Sequence, residues 1–102
     1  MTGNKVKKII YSILQEVLEG EGIPTAQDYD ITDTEFIGII KLMKDEGYLN
    51  PKNVSFYIGG GIDIKKSIDS VTMKGIEFLE ENNKWAKFYK GIKEFSNFIR
   101  IK

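Results

Sequence analysis

The chain of 102 residues is 41 % apolar and 29 % charged, the balance of one soluble globular domain able to bury about two-thirds of the surface its unfolded form exposes. It holds neither cysteine nor histidine, which excludes disulfides and thiolate zinc sites and removes the commonest general base and metal ligand. The formal net charge is zero but unevenly placed: residues 1–8 carry three lysines and no acid, residues 9–83 six basic and fourteen acidic groups, and residues 84–102 six basic groups against Glu94 alone.

In chain order, the first expected element is a helix from about Asn4 to Leu18, with Asn4 as its N-cap. Val6, Ile9, Ile10, Ile13, Leu14 and Val17 recur at three- and four-residue steps and gather on one stripe. The apolar run IIYSIL stops at Gln15 and Glu16, too short for a signal-peptide core or a membrane span, so a cytoplasmic protein is expected. GEGIPT then breaks the helix through Gly20, Gly22 and Pro24, and Thr25 to Tyr29 is left as a short helix or a turn.

Thr32 to Glu35 spells T-x-x-E, a capping box that predicts a helix start at Thr32. Phe36, Ile39, Ile40 and Met43 supply its buried stripe, and Gly47 stands where a left-handed C-terminal residue is wanted, so the helix is expected to end near Glu46. Tyr48 and Leu49 read as a short strand, Pro51 and Asn53 as a turn. Val54 to Ile58 alternates like a strand, and a return strand is expected in IDIKKSID after Gly59, Gly60 and Gly61. In VTMKGIEFLEEN, Thr72 is the expected N-cap of a further helix with Ile76, Phe78 and Leu79 on its apolar face. The last helix is predicted from about Lys84 to Ile101, with Trp85, Phe88, Tyr89, Ile92, Phe95 and Ile99 in one apolar arc and Lys84, Lys87, Lys90 and Lys93 spread over the other side.

This order predicts a mainly α protein with a small β-hairpin: a winged helix-turn-helix-like three-helix core over residues 1–83, a wing near 54–70, and a C-terminal amphipathic helix over 84–102. Lys7 to Gly20 read loosely as K-x-x-I-x-x-x-I-L-x-E-V-x-E-G, together with LMKDEGYL (Leu42 to Leu49) and VTMKGIEFLEEN running into WAKFYKGIKEF (Val71 to Phe95), resembles the YjcQ-like family of small proteins from Gram-positive bacteria and their phages. The resemblance spans nearly the whole chain. It implies a winged-helix fold and a phage or prophage origin, and carries no established activity.

Three constellations suggest chemistry and fall short of it. GGIDIKKS, Gly60 to Ser67, approaches the phosphate-binding G-x-x-x-x-G-K-[ST], but Lys65 takes the second glycine's place and Ile62, Ile64 and Ile68 read as strand. Asp28, Asp30 and Asp33 space like oxygen ligands without the glycine and distal glutamate of a calcium loop. Glu80 and Glu81 are adjacent on a helix and do not face each other. No catalytic residue, cofactor or metal is therefore expected.

The expectation is a non-enzymatic winged-helix protein that binds double-stranded DNA weakly or regulates transcription; the alternative is a protein–protein interaction module without DNA binding. On the first reading the helix from Thr32 would enter the major groove, with Thr34, Lys41 and Lys44 facing the nucleic acid and Lys65 and Lys66 supporting from the wing. Its acids Asp33, Glu35, Asp45 and Glu46 suit the dipole at one end but would meet phosphates. On the second reading Trp85, Phe88, Lys87 and Lys90 of the last helix are the candidate partner-binding residues, the apolar stripe either packing back on the first helix or making a homodimer rather than a monomer.

Overall fold

The computed structural model describes residues 2–19 and 24–86. The first helix, α1, spans Gly3–Glu19. Its start is set by Thr2 rather than Asn4: the Thr2 hydroxyl accepts from the Lys5 N–H at 3.2 Å and its carbonyl from the Val6 N–H at 3.1 Å, a side-chain cap two residues earlier than expected. The predicted stripe is inside, with Ile9, Ile13 and Leu14 essentially without solvent contact. Tyr11, Ser12 and Glu16 are buried as well, so far more of α1 is covered than a single amphipathic stripe. What covers part of this polar side is the next element.

That element is a single 3-10 turn, Ala26–Tyr29. The Asp28 carboxylate accepts from the Thr25 N–H at 2.7 Å and from its hydroxyl at 3.3 Å, and Asp30 ends the turn in the left-handed region at φ 55°. The turn delivers Tyr29 into the core, where its hydroxyl shares a 2.7 Å hydrogen bond with Ser12 and its ring stacks at 6.5 Å on Phe36. A buried hydroxyl pair satisfied in this way avoids the penalty of an unpaired polar group.

The second helix, α2, spans Asp33–Asp45 with the expected capping box: the Glu35 N–H donates to the Thr32 hydroxyl at 3.1 Å and the Thr32 N–H to the Glu35 carboxylate at 3.0 Å. Its C-terminus closes on Gly47, at φ 83°, with Tyr48 N–H donating to the Met43 carbonyl and Gly47 N–H to that of Lys44. This paired arrangement needs a left-handed residue, which glycine supplies without strain. Phe36, Ile39, Ile40 and Met43 are buried as expected.

Leu49 makes an isolated antiparallel bridge to Val71, and a 3-10 turn at Pro51–Asn53 leads into the hairpin. The strands are β1, Val54–Phe56, and β2, Ile62–Ile64, in register Val54 to Ile64 and Phe56 to Ile62. The first strand is shorter than the expected Val54 to Ile58. Tyr57 and Ile58 lie beyond it, in and beside a turn where Gly59 and Gly60 take φ of 96° and 92°. The second strand does not continue to Ile68 either. Residues 67–70 form a loop held by a polar knot, in which the buried Asn53 amide donates to the Ser70 hydroxyl at 2.9 Å and to the Asp69 carboxylate at 3.3 Å. Ile68 is thrown into solvent, 99 % exposed.

The third helix, α3, spans Met73–Glu81 and is capped by Thr72, whose hydroxyl accepts from the Gly75 N–H at 3.0 Å and donates to the Gly47 carbonyl. Phe78 and Leu79 face inward, and α3 packs on α1. Residues Asn83–Trp85 then form a 3-10 turn where the start of a long helix was expected; Trp85 is buried, so the core runs past residue 83. The rest of the predicted C-terminal helix lies outside the described residues. Among the described residues, three α-helices and one small two-stranded antiparallel sheet make the mainly helical, α+β winged-helix-like arrangement expected from the pattern.

Candidate functional site

The hairpin lies along one flank of α2. Gly60 at its turn is beside Ile37, and at the end of β1 that enters the turn the ammonium groups of Lys41 and Lys44 stand 5.7 and 5.6 Å from the centre of the Phe56 ring. Cations at that distance from an aromatic ring are attracted to its face, by roughly 0.5–1 kcal/mol at exposed sites. One ridge therefore carries two lysines of α2 together with the strand that follows. Next to it the turn presents Tyr57, 57 % exposed, and Ile58 with no cover at all.

The outward face of α2 is mixed. Thr34, Glu35, Gly38, Lys41, Leu42 and Asp45 are exposed, whereas Lys44 is half-buried beside the hairpin. The Glu35 carboxyl is held below its usual pKa, chiefly by the hydrogen bond it accepts from the Thr32 backbone, so with Asp33 it fixes negative charge at the first turn. Charge there favours the helix dipole and would oppose a phosphate. Leu42 is exposed at 41 %.

The wing lysines do not share one role. Lys65 is exposed, and its backbone N–H donates to the Asn53 carbonyl at 2.8 Å. Lys66 is half-buried and its ammonium donates to the Glu16 carbonyl at 3.2 Å. It thus satisfies one of the last carbonyls of α1 and complements that helix end, which commits its ammonium to α1. The other candidate set divides too. Trp85 is buried within the chain, with the ammonium groups of Lys8 of α1 and of Lys84 at 5.1 and 4.9 Å from its ring centre; Lys87, Phe88 and Lys90 lie outside the described residues.

The features that tempted a chemical reading have structural duties. Asp28 and Thr32 serve caps, Asp30 takes the left-handed position, and Gly60 to Ser67 runs through the hairpin rather than into a helix start. Among the described residues no group of three acids gathers as a metal site, and no helix is long and apolar enough to cross a membrane. The pair Ser12 and Tyr29 and the knot around Asn53 were missed by sequence reasoning. Both are polar groups whose burial depends on a neighbour distant in the chain, which residue spacing does not reveal.

The fold class is mainly helical, α+β and winged-helix-like. The model of the YjcQ protein family matches residues 11–98, and the chain belongs to that family. It is similar to the Bacillus subtilis (strain 168) protein named "Uncharacterized protein YjcQ", 32 % identical over 93 residues that cover 91 % of this chain and 96 % of that protein. No solved structure matches.

Proposed function

We propose that the protein is a non-enzymatic, cytoplasmic winged-helix protein that binds double-stranded DNA weakly and with little sequence preference, in a transcription-regulatory setting, and that it is of phage or prophage origin as the family resemblance implies. The observation that supports DNA binding is the convergence of Lys41 and Lys44 on Phe56, which gathers two cations of α2 beside the hairpin on one ridge next to the exposed Tyr57 and Ile58. Lys65 can add a phosphate contact from the end of β2. Binding is weak because Asp33, Glu35 and Asp45 share the outward face of α2, leaving few cations to release counterions and few donors to read base edges.

The test is a fluorescence anisotropy titration of labelled mixed-sequence duplex DNA at low and moderate salt. Binding should be measurable only at low salt, fall steeply as salt rises, and be lost in Lys41→Glu with Lys44→Glu. No binding by the wild-type chain at low salt would sink the reading. A second reading, a protein-binding module, is favoured by one observation: Leu42 lies exposed above an apolar groove on the other flank of α2.

A further inference from the structure

Between the first turns of α1 and the end of α2 runs an open groove of about 330 Å³ with an apolar lining of Val6, Ile10, Leu42, Tyr48 and Phe78. Tyr48 and Phe78 pack ring on ring at 5.0 Å, and Leu42 stands exposed on the α2 side. One patch thus holds both an apolar knob and an apolar trough. The charges around it come in both signs. Among the described residues its charged lining is Lys7 on the α1 wall and Glu46 at the end of α2. The Tyr48 pKa is raised by burial first and then by the carboxylates of Glu46 and Glu81, and the stem of Lys74 lies 3.6 Å from where a side chain at Gly47 would begin. One further charge of each sign therefore flanks the floor.

This pattern decides between occupants. A partner of a single charge sign would meet repulsion on one of the two walls. A second copy turned by a twofold axis meets attraction on both, because an isologous contact sets the same patch against itself and Lys7 of each copy then faces Glu46 of the other. The formal net charge of zero leaves no long-range repulsion between copies. We infer that the groove is the centre of a homodimer interface, with Leu42 of each copy seated on the Tyr48 and Phe78 rings of the other and a pair of Lys7 with Glu46 closing either end. A specific protein contact buries roughly 1,200–2,000 Å² in all, so the exposed flanks of α1 and α2 form its rim. The contact uses none of Lys41, Lys44 and Phe56 and stands independently of DNA binding.

Sedimentation velocity on the full-length protein at low salt, from low micromolar to near-millimolar concentration, should show a monomer–dimer equilibrium. Leu42→Asp should shift it to monomer. Lys7→Glu and Glu46→Lys should each weaken the dimer several-fold, since in either variant like charges meet at both ends. An equimolar mixture of these two variants should restore association, because both ends of the mixed dimer then pair opposite charges. No effect within one chain can produce that rescue. A protein that stays monomeric throughout would overturn the proposal, as would a dimer indifferent to Leu42→Asp or a mixture that associates no more tightly than its two components. Lys7 and Glu46 are both exposed, so the charge variants should fold. Circular dichroism checks each variant, and the mixing experiment carries the test if Leu42→Asp does not fold.

Discussion

A methyl group added at Gly75 would stand 2.5 Å from the carbonyl oxygen of Tyr48 and 2.8 Å from Val71 Cγ1. The first turn of α3 therefore lies directly on the backbone that leaves α2, and the absence of a side chain at Gly75 is what permits it. Gly75→Ala gains helix propensity of roughly 1 kcal/mol but must push two backbone segments apart, which costs more than that in a packed core. The variant should lose about 1–3 kcal/mol in chemical denaturation. A stability equal to or above wild type would mean that α3 shifts freely and that this contact does not position it.

Gly38 presents the opposite case. It is an exposed interior residue of α2, and a methyl group there would meet nothing within 4 Å. Gly38→Ala should stabilise the protein by about 0.5–1 kcal/mol through the loss of backbone freedom in the unfolded chain. The same denaturation measurement checks it, and a loss of stability would show that this face of α2 is covered.

Ile40 has no solvent contact and sits on the core side of α2. Truncation to alanine removes buried methylenes and leaves a cavity among neighbours that cannot fully collapse, at a cost of about 2–5 kcal/mol. A change below about half a kilocalorie would contradict its burial, since a loss that small is what surface positions show.

Asp69 pairs with Lys52 at 2.6 Å and also accepts from Ser67 and Asn53. These contacts, the Lys52 interaction foremost, hold its carboxyl far below the usual range. A carboxylate more acidic in the folded than in the unfolded state adds stability at pH values above its unfolded pKa. That contribution disappears as pH falls from roughly 4 downward. Asp69→Asn should therefore lower the thermal midpoint at neutral pH and leave it less dependent on pH in the acid limb than wild type. The pair is solvent-exposed, so the effect will be modest; parallel acid limbs for the two proteins would rule it out.

Much of this fold could be read from residues acting locally. The capping threonines Thr32 and Thr72, the left-handed Gly47 and the stripe Phe36, Ile39, Ile40 and Met43 lie where spacing places them, because a cap or a helical face involves only its own few neighbours. Tyr57, Ile58 and Ile68 are the instructive failures. All have strand-forming side chains, yet Gly59 and Gly60 turn the chain at the first pair, and the Asn53 knot, formed across 17 residues, expels the third. Burial of Ser12 and Glu16 likewise needed partners outside α1. In the candidate site, Thr34 and Lys41 are exposed on α2 as expected and Lys44 is half-buried against the hairpin. Lys66 could not be placed from sequence, since its partner is the Glu16 carbonyl 50 positions away.

That Lys66 contact, and the burial of α1 on so much of its circumference, bear on how the protein is made. Helix α1 is made before the elements that pack on it, α2, α3 and the turn that carries Trp85 beneath Lys8, so its covering is complete only after residue 85. At translation rates of roughly 5–20 residues per second, a nascent chain holds Ile9, Ile13 and Leu14 uncovered for seconds before their partners emerge. Slowing translation before residue 71 should lengthen that exposure.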